Sequence, residues 1–414
     1  MKYITPSLII PLYFLLIFLL NFGAIDVIGV QWLYLSIINF VILLFLKDFK
    51  LPKSSLFLLF SFFIFQVFFS LIYSLNINLS TVDAFRHFSI LTSIIILFNI
   101  FSVHQFSFKR LSLILSIFLF IEVFYSLRLF FSFFLFNNIS NYHLFSQVIS
   151  ENDFIGFAGN KNINAASIAI KLPFLFYSFV CSKFSSKILY SILSFFIFLV
   201  IFFLRTRSVY LSVFIILFFA SLFFINRKKF SFLYLFIPIS LAFMATTYLL
   251  SFTDSNAVIN DIQSINFSES SSNSRFFLWD NAISYISEHP FVGSGIGNWK
   301  IESIPYWNTH LSSYTVPYHA HNDFLEITTE LGILGGLTYL FFFLFIFFFL
   351  FRQLYLNWSN NNISFILVTL FLSFIIYFID LNLNFPGERP RIQIMFSLLF
   401  ACVLIIHEKK FFNP

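Results

Sequence analysis

Long runs of apolar residues, separated by short polar connections, make up most of the chain. A membrane-spanning helix needs about 20 apolar residues, and runs of that length suit helices better than the short alternating strands of a barrel. We therefore predict an all-α polytopic membrane protein with about twelve transmembrane helices. The predicted spans are residues 6–22, 27–46, 55–75, 84–101, 111–136, 163–181, 187–204, 208–225, 231–251, 332–351, 361–380 and 392–407.

Two polar segments are longer than a connection between spans requires. One covers about residues 137–162, and the other, residues 251–329, is large enough for a soluble subdomain. Within the second segment, the spacing of apolar residues predicts a helix over 275–287. The Gly-x-Gly-x-Gly run at 293–297 that follows predicts tight turns.

The composition supports the membrane assignment. Of the 414 residues, 59% are hydrophobic and 10% are charged, whereas soluble domains carry about 25% charged residues. This excludes a soluble enzyme or a nucleic-acid-binding protein, although the sequence pI is near 9.1. The first apolar run lacks a small-residue cleavage site, so we expect a retained span and not a signal peptide.

Lysine and arginine predict the topology. With the N-terminus inside, every inner loop carries at least one of them, and the alternation holds across all twelve predicted spans. Both termini are then cytoplasmic. Other cations fall on the outer side or within spans, among them Arg205, Arg207, Arg275 and Arg389. An anionic ligand at the outer face would explain the set, while for any one of them the alternative is a snorkelling or loop residue.

The densest polar cluster lies at 318–332 and contains His319-Ala320-His321-Asn322. In an extended segment the two histidines would share a face. Metal binding is weakly indicated because there is no clear third ligand. Imidazole titrates near neutrality, so a general base or a donor to phosphate fits better. The alternative is a loop histidine without a role.

Three further places carry charges of interest. Arg205 and Arg207 lie in a short connection between spans, where guanidinium would match phosphate oxygens or simply anchor the helices at the interface. In the last outer loop, Glu388 and Arg389 would either pair with each other or contact a ligand. Glu122 and Arg128, six residues apart within one span, do not share a helix face, so we expect their partners on other helices.

Five motifs stand out, in this order along the chain. They are Gly159-Asn160-Lys161-Asn162; Thr206-Arg207-Ser208; Arg275-x-x-Leu278-Trp279, followed by His289-Pro290-Phe291-x-Gly293-x-Gly295; His319-x-His321-Asn322-x-x-Leu325 with Glu330 and Gly332; and Asn384-Phe385-Pro386-x-Glu388-Arg389-Pro390. In these motifs the chain resembles the O-antigen ligase and polymerase superfamily of bacterial envelope glycosyltransferases. The resemblance covers roughly residues 155–400, and the fourth motif is the most specific.

The resemblance implies a GT-C-like glycosyltransferase architecture in the bacterial inner membrane, with a periplasmic active site. Residues 1–158 would hold helices one to five and an outer loop. Residues 159–408 would form the O-antigen ligase-related transmembrane domain, including one large periplasmic loop at 252–330.

The implied activity is transfer of a glycan from undecaprenyl diphosphate to an acceptor hydroxyl, such as a sugar of lipid A–core. The implied partners are this lipid-linked donor, the acceptor and the bilayer, with no nucleic acid, no metal and no cofactor. His321 and Arg207 would be catalytic. The residues implied in binding diphosphate or sugar are Arg205, His319, Asn322, Arg275, Glu330 and Arg389.

Several alternatives stay open. An O-antigen or exopolysaccharide polymerase would use the same donor and add the glycan to another lipid-linked repeat. A protein O-oligosaccharyltransferase would use a serine or threonine. A polysaccharide flippase or transporter would not be an enzyme, and it would predict internal repeats, which the sequence does not show.

Overall fold

The computed structural model describes residues 5–19, 27–46, 49–104, 107–136, 154–250, 270–307 and 318–408. Within these ranges nearly all of the chain is helical. This confirms the predicted all-α fold of a multi-pass membrane protein.

The helices are numbered in chain order. They are α1 (Pro6–Phe14), α2 (Val27–Phe45), α3 (Ser55–Phe69), α4 (Ile77–Val103), α5 (Phe108–Ser126), α6 (Arg128–Phe136), α7 (Lys161–Ala169), α8 (Leu172–Cys181), α9 (Phe184–Leu204), α10 (Arg207–Asn226), α11 (Phe236–Leu250), α12 (Ser270–Glu288), α13 (Trp299–Glu302), α14 (Ile304–Trp307), α15 (Asp323–Leu356), α16 (Asn361–Leu383) and α17 (Pro390–His407).

Ten described segments are long and apolar enough to cross a bilayer. The first predicted span falls on the shorter apolar stretch Pro6–Phe18. The fifth is divided between α5 and α6, which meet at Leu127. Neither helix is among the ten, since α6 has nine residues and α5 carries three charged residues, Lys109, Arg110 and Glu122. The remaining predicted spans each coincide with one of the ten segments.

Two spans form the centre of the bundle. In Lys161–Cys181 and in Pro390–His407, 94% of the most apolar stretch is buried inside the protein, whereas in Phe230–Leu250 the share is 28%. The central helix α17 packs on α4, while α15 packs on α3 and α16, and α10 also packs on α16. Peripheral helices expose apolar side chains such as Phe214 and Met244, as expected where lipid is the solvent.

Breaks in the helices shape one end of the bundle. At Gly332 the backbone leaves helical geometry (φ 74°, ψ 178°), so α15 consists of two helical pieces that meet where the tenth span was predicted to begin. The predicted helix 275–287 is α12, which starts earlier, at Ser270, and ends at Glu288 just before His289-Pro290. We call the end of the bundle where α10 and α17 begin and α16 ends the site end.

A third break separates α7 from α8. Lys171 lies there, and its Nζ is 2.9 Å from Glu122 Oε2, with the two side chains 1% and 2% exposed. This confirms that the partner of Glu122 is on another helix. For Arg128 the same prediction was wrong, because its guanidinium lies over Tyr125, three residues earlier in the same predicted span, and donates to the Tyr125 carbonyl oxygen. The break between α5 and α6 at Leu127 lies between these two residues.

Candidate active site

The turn His319–Asn322 leads into α15 and is held by polar groups of that helix. Asn322 is the N-cap, since its Oδ1 accepts from the backbone N–H groups of Phe324 (3.0 Å) and Leu325 (3.2 Å). Glu326 reaches back to the turn, where its Oε2 accepts from the Ala320 N–H at 2.9 Å. Asn322 therefore orients the turn, and ligand binding by its side chain remains a prediction.

The two histidines are not arranged as in an extended segment. His321 has φ 55°, in the left-handed region. For a residue other than glycine this conformation costs on the order of 1–3 kcal/mol, and such strain clusters at functional sites. The rings nevertheless converge on one residue, Phe385. The centroid of His319 is 4.2 Å from that of Phe385 and nearly parallel to it, while His321 lies at 4.9 Å and is perpendicular.

Phe385 also supports an arginine. The guanidinium carbon of Arg389 lies 4.2 Å from the centroid of the Phe385 ring. A stacked imidazole and a guanidinium cannot share one ring face at this distance, so His319 and Arg389 lie on opposite faces. Cation–π attraction stabilises such an arrangement.

His319 is paired with carboxylates through both ring nitrogens. Its Nδ1 is 2.9 Å from Glu326 Oε1, and its Nε2 is 3.3 Å from Glu388 Oε2. Burial disfavours the charged imidazolium, but Glu326 and Glu388 more than offset this and raise the pKa of His319 to about 10. Burial would likewise raise the pKa of Glu388, yet His319, Lys300 and Arg86 lower it to about 2. The pair is therefore ionised at neutral pH.

His321 has the opposite charge state. Burial lowers its pKa, and the positive charges of Arg275, His319 and Arg389 lower it further, to about 4. The imidazole is thus neutral at physiological pH. Its Nδ1 is buried and makes no hydrogen bond to any described residue, which is unusual because buried polar atoms are normally paired.

His321 lines a cleft of about 80 Å³ at the site end of the bundle. The polar side chains of this cleft come from the starts of α7, α15 and α17 and the end of α16: Asn160, Asn162, His321, Asp380, Asn384 and Arg389. The Nε of Arg389, like Nδ1 of His321, is buried and lacks a partner among the residues described. We call this cavity the His321 cleft. Both residues line the cleft, and each has a buried polar atom without a described partner, so this cavity is the candidate ligand site.

Two further arginines belong to its surroundings. Burial lowers the pKa of Arg275, and nearby Arg207 lowers it further, whereas Asp380 opposes the shift. Burial also lowers the pKa of Arg389, against the effect of Glu388, Asp380 and Asp323. The side chains of Arg207, Arg275 and Arg389 are thus close enough to Asp380 or to one another to create a positive field at the cleft.

Asp380 was missed by our sequence analysis. It lies on α16, and its Oδ1 accepts a hydrogen bond of 2.6 Å from Asn384 Nδ2, which is also 3.4 Å from Ser208 Oγ. These contacts join the end of α16 to the start of α10, beside Arg207. A signal was present, because Asp380 is the sole charged residue between Asn361 and Leu383, and ionisable residues inside spans mark functional sites.

A chain of alternating charges continues from Glu388 toward the large outer segment. Glu388 Oε1 is 4.0 Å from Arg86 NH1, which is 2.6 Å from Asp83 Oδ1. Lys300 Nζ, on α13, lies 3.7 Å from Asp83 Oδ2. This ion-pair chain connects α4, the outer segment and the last loop.

Glu330 lies away from the His321 cleft. Its Oε1 accepts from the Trp299 N–H at 3.1 Å, and its backbone oxygen accepts from Gly295 N–H at 2.9 Å. Close approach at Gly293 and Gly297 permits this docking, because a Cβ there would lie 2.3 Å from the Thr329 oxygen and 1.9 Å from Asp83 Oδ2. Glu330 therefore anchors the glycine-rich segment, and the predicted substrate contact remains untested.

The structure thus separates the predicted site residues into groups. His321 and Arg389 line one cleft, with Arg275 and Arg207 near it. His319 and Asn322 hold the turn. Arg205 caps the end of α9 in a left-handed conformation (φ 50°), two residues before the start of α10. Among described residues, no group of three His, Cys, Asp or Glu side chains is placed to hold a metal ion.

Residues 192–340 match a family model described as O-antigen ligase. The matched stretch runs from within α9 to within α15 and includes the turn at His319–Asn322. This confirms the resemblance to the O-antigen ligase and polymerase superfamily. No curated protein matches the chain in sequence.

Proposed function

We propose that this protein is a glycosyltransferase of the O-antigen ligase type. It moves a glycan from undecaprenyl diphosphate to an acceptor hydroxyl, with a sugar of lipid A–core as the favoured acceptor. The observation that carries the proposal is the His321 cleft, which is lined by a histidine that is neutral at physiological pH and by an arginine. The match to the O-antigen ligase family supports the same class of reaction.

Neutral His321 is suited to act as the general base. It accepts the proton of the acceptor hydroxyl while that oxygen bonds to the anomeric carbon of the donor sugar. A pKa near 4 in the free protein makes it a weak base. Binding of the anionic diphosphate would cancel part of the field of Arg275 and Arg389, and the pKa of His321 would then rise. The donor itself thereby improves the base.

The arginines stabilise the leaving group. As the bond between the anomeric carbon and the phosphate oxygen breaks, its electron pair stays on undecaprenyl diphosphate. Guanidinium groups of Arg389, Arg275 and Arg207 would hold that charge through short, bidentate hydrogen bonds. Direct attack by the acceptor inverts the anomeric centre. The mechanism uses protein side chains alone, without a cofactor.

We further propose that both termini are cytoplasmic and that the His321 cleft faces the periplasm of a bacterial inner membrane. The distribution of lysine and arginine supports this orientation. A membrane-impermeant maleimide tests it on intact spheroplasts. It should label a cysteine introduced at the exposed His289 and leave exposed Cys181, at the opposite end of the bundle, unlabelled. The reverse pattern would exclude this orientation.

A strain lacking the gene tests the acceptor. Surface lipopolysaccharide and lipid-linked intermediates would be separated on gels in parallel. Bare lipid A–core, with polymer retained on the lipid carrier, is the result expected for a ligase. Core capped by a single repeat would indicate a polymerase, and an unchanged lipopolysaccharide profile would exclude lipid A–core as the acceptor.

A further inference from the structure

The turn at His319–Asn322 holds two histidines with different surroundings. His321 lines the cleft, whereas His319 lies between carboxylates from two parts of the fold, Glu326 on α15 and Glu388 in the last loop. Both ring nitrogens of His319 therefore point to negatively charged oxygens. A ring in this position carries both protons and has no nitrogen left to accept a third.

His319 is coupled to the cleft through one aromatic ring. It stacks on one face of Phe385, Arg389 occupies the other face, and His321 stands perpendicular to the same ring. Phe385 itself lines the cleft. A shift of the His319 ring would therefore move the support on which both His321 and Arg389 rest.

The backbone gives a second route of coupling. Glu326 holds His319 Nδ1 with one carboxylate oxygen and the Ala320 N–H with the other, at 2.9 Å each. Ala320 is the residue directly before His321, which occupies the strained left-handed conformation. Loss of the charge on His319 would leave Glu326 and Glu388 partly buried without their shared counter-ion, and these carboxylates would move toward water.

We propose that His319, held as an imidazolium between Glu326 and Glu388 and stacked on Phe385, is a positioning residue that sets the geometry of His321 and Arg389 without itself transferring a proton. This rests on the proposed function, in which His321 is the base. The ion-pair chain through Arg86, Asp83 and Lys300 extends the same restraint to the outer segment.

Two substitutions of His319 distinguish a role of its positive charge from a role in proton transfer. Arginine keeps a planar cation that can stack on Phe385 and pair with both carboxylates, but it does not exchange a proton near neutral pH. Glutamine keeps hydrogen bonding and removes the charge. We expect His319→Arg to retain transfer within about tenfold of wild type. His319→Gln should reduce kcat on the order of 10²-fold, as expected when a base is misplaced by about an ångström.

The dependence of kcat/KM on pH distinguishes a positioning role from a role in proton transfer. If His319 only positions, the acid limb of kcat/KM in His319→Arg keeps the shape of the wild-type limb. Equal loss of activity in His319→Arg and His319→Gln, or a changed limb in His319→Arg, would overturn the proposal. Wild-type activity in His319→Gln would do the same.

A spectroscopic measurement is independent of activity and of any variant's folding. In wild-type protein labelled with ¹⁵N-histidine and reconstituted in nanodiscs, His319 should show two protonated nitrogens at pH 7.5 and His321 one. A neutral His319 would refute the proposal even if glycan transfer is confirmed. Conversely, a doubly protonated His319 in a protein without transfer activity would count against the proposed function and leave the charge state of His319 established.

Discussion

The buried pair Glu122–Lys171 contacts α7, which helps to line the His321 cleft, and its removal should have a large effect on stability. Lys171 Nζ is 3.0 and 2.9 Å from the two carboxylate oxygens of Glu122, and it also donates to the backbone oxygen (2.6 Å) and Oγ (2.9 Å) of Ser167. Ser167 follows Ala166, which lines the cleft. The pair thus joins α5 to the break between α7 and α8.

The expected magnitude follows from burial. Both side chains are almost completely enclosed, so Glu122→Leu leaves an ammonium group in the interior whose remaining hydrogen-bond partner among the described residues is Ser167. Removing one member of a buried ion pair costs about 3–5 kcal/mol. Replacing both members by apolar residues of similar size, Glu122→Leu with Lys171→Met, is often close to neutral. Here we expect most, but not all, of the loss to be recovered, because buried Arg391 also interacts with the charge of Glu122.

The assay is reversible unfolding of the purified protein in mixed micelles, followed by circular dichroism. Arg128→Ala is the matched control, since this exposed cation lies six residues from Glu122 and loses only its exposed contacts with Tyr125, about 1 kcal/mol. A Glu122→Leu protein as stable as the control would refute the reasoning. So would a double variant that is less stable than either single one.

Four other predictions concern the site and the outer segment. Because the base must be neutral, kcat/KM should decline on the acid side only as pH approaches about 4, where His321 protonates; a limb near pH 6.5 would contradict the burial and charge effects described. The pKa of His319 is raised to about 10, so its ion pairs stabilise the fold fully below about pH 6.5 and are lost as pH rises through 10. His319→Gln should flatten the pH dependence of unfolding in that window. Gly297→Ala should increase hydrogen exchange of the outer segment, because the added Cβ would clash with Asp83. Gly159→Ala is the control, since this glycine has a similar φ and open space around it, and it should leave that exchange unchanged. Arg207→Ala should weaken donor binding about tenfold or more, the effect of losing a charged hydrogen bond, and unchanged affinity would exclude its contact with diphosphate.

Hydropathy predicted the helices well because most spans are continuous apolar runs of about 20 residues, which is the length that a bilayer requires. The fifth and tenth spans were predicted less well, because each contains polar residues that make contacts elsewhere in the fold. The fifth contains Glu122, whose partner Lys171 lies at the break between α7 and α8. A pattern of neighbouring residues cannot predict a pair between such distant positions. The tenth was predicted from residue 332, where the backbone breaks at Gly332, and the polar helical turns from Asp323 to Leu331 were not included.

The folded chain brings several of the predicted site residues together. Sequence motifs predicted His319, His321 and Arg389 as site residues, but not the different surroundings of the two histidines. Those surroundings depend on Glu326, Glu388 and Phe385, which meet the turn only in the folded chain. Glu330 shares the motif with His321, yet it faces the glycine-rich segment. Spacing along the chain could not show where these side chains point, because His321 precedes α15 in a left-handed conformation whereas Glu330 lies within that helix.

The most direct test of the account is glycan transfer by purified protein in nanodiscs, supplied with undecaprenyl diphosphate-linked glycan and lipid A–core. Wild-type protein should form the conjugate without added metal, and His321→Ala should lose on the order of 10²–10⁴-fold in rate while its expression and unfolding stability stay near wild type. Transfer at the wild-type rate by a well-folded His321→Ala protein would contradict the assignment of the base. Absence of any transfer by the wild type to lipid A–core, to a second lipid-linked repeat or to a serine-containing protein would contradict the proposed function.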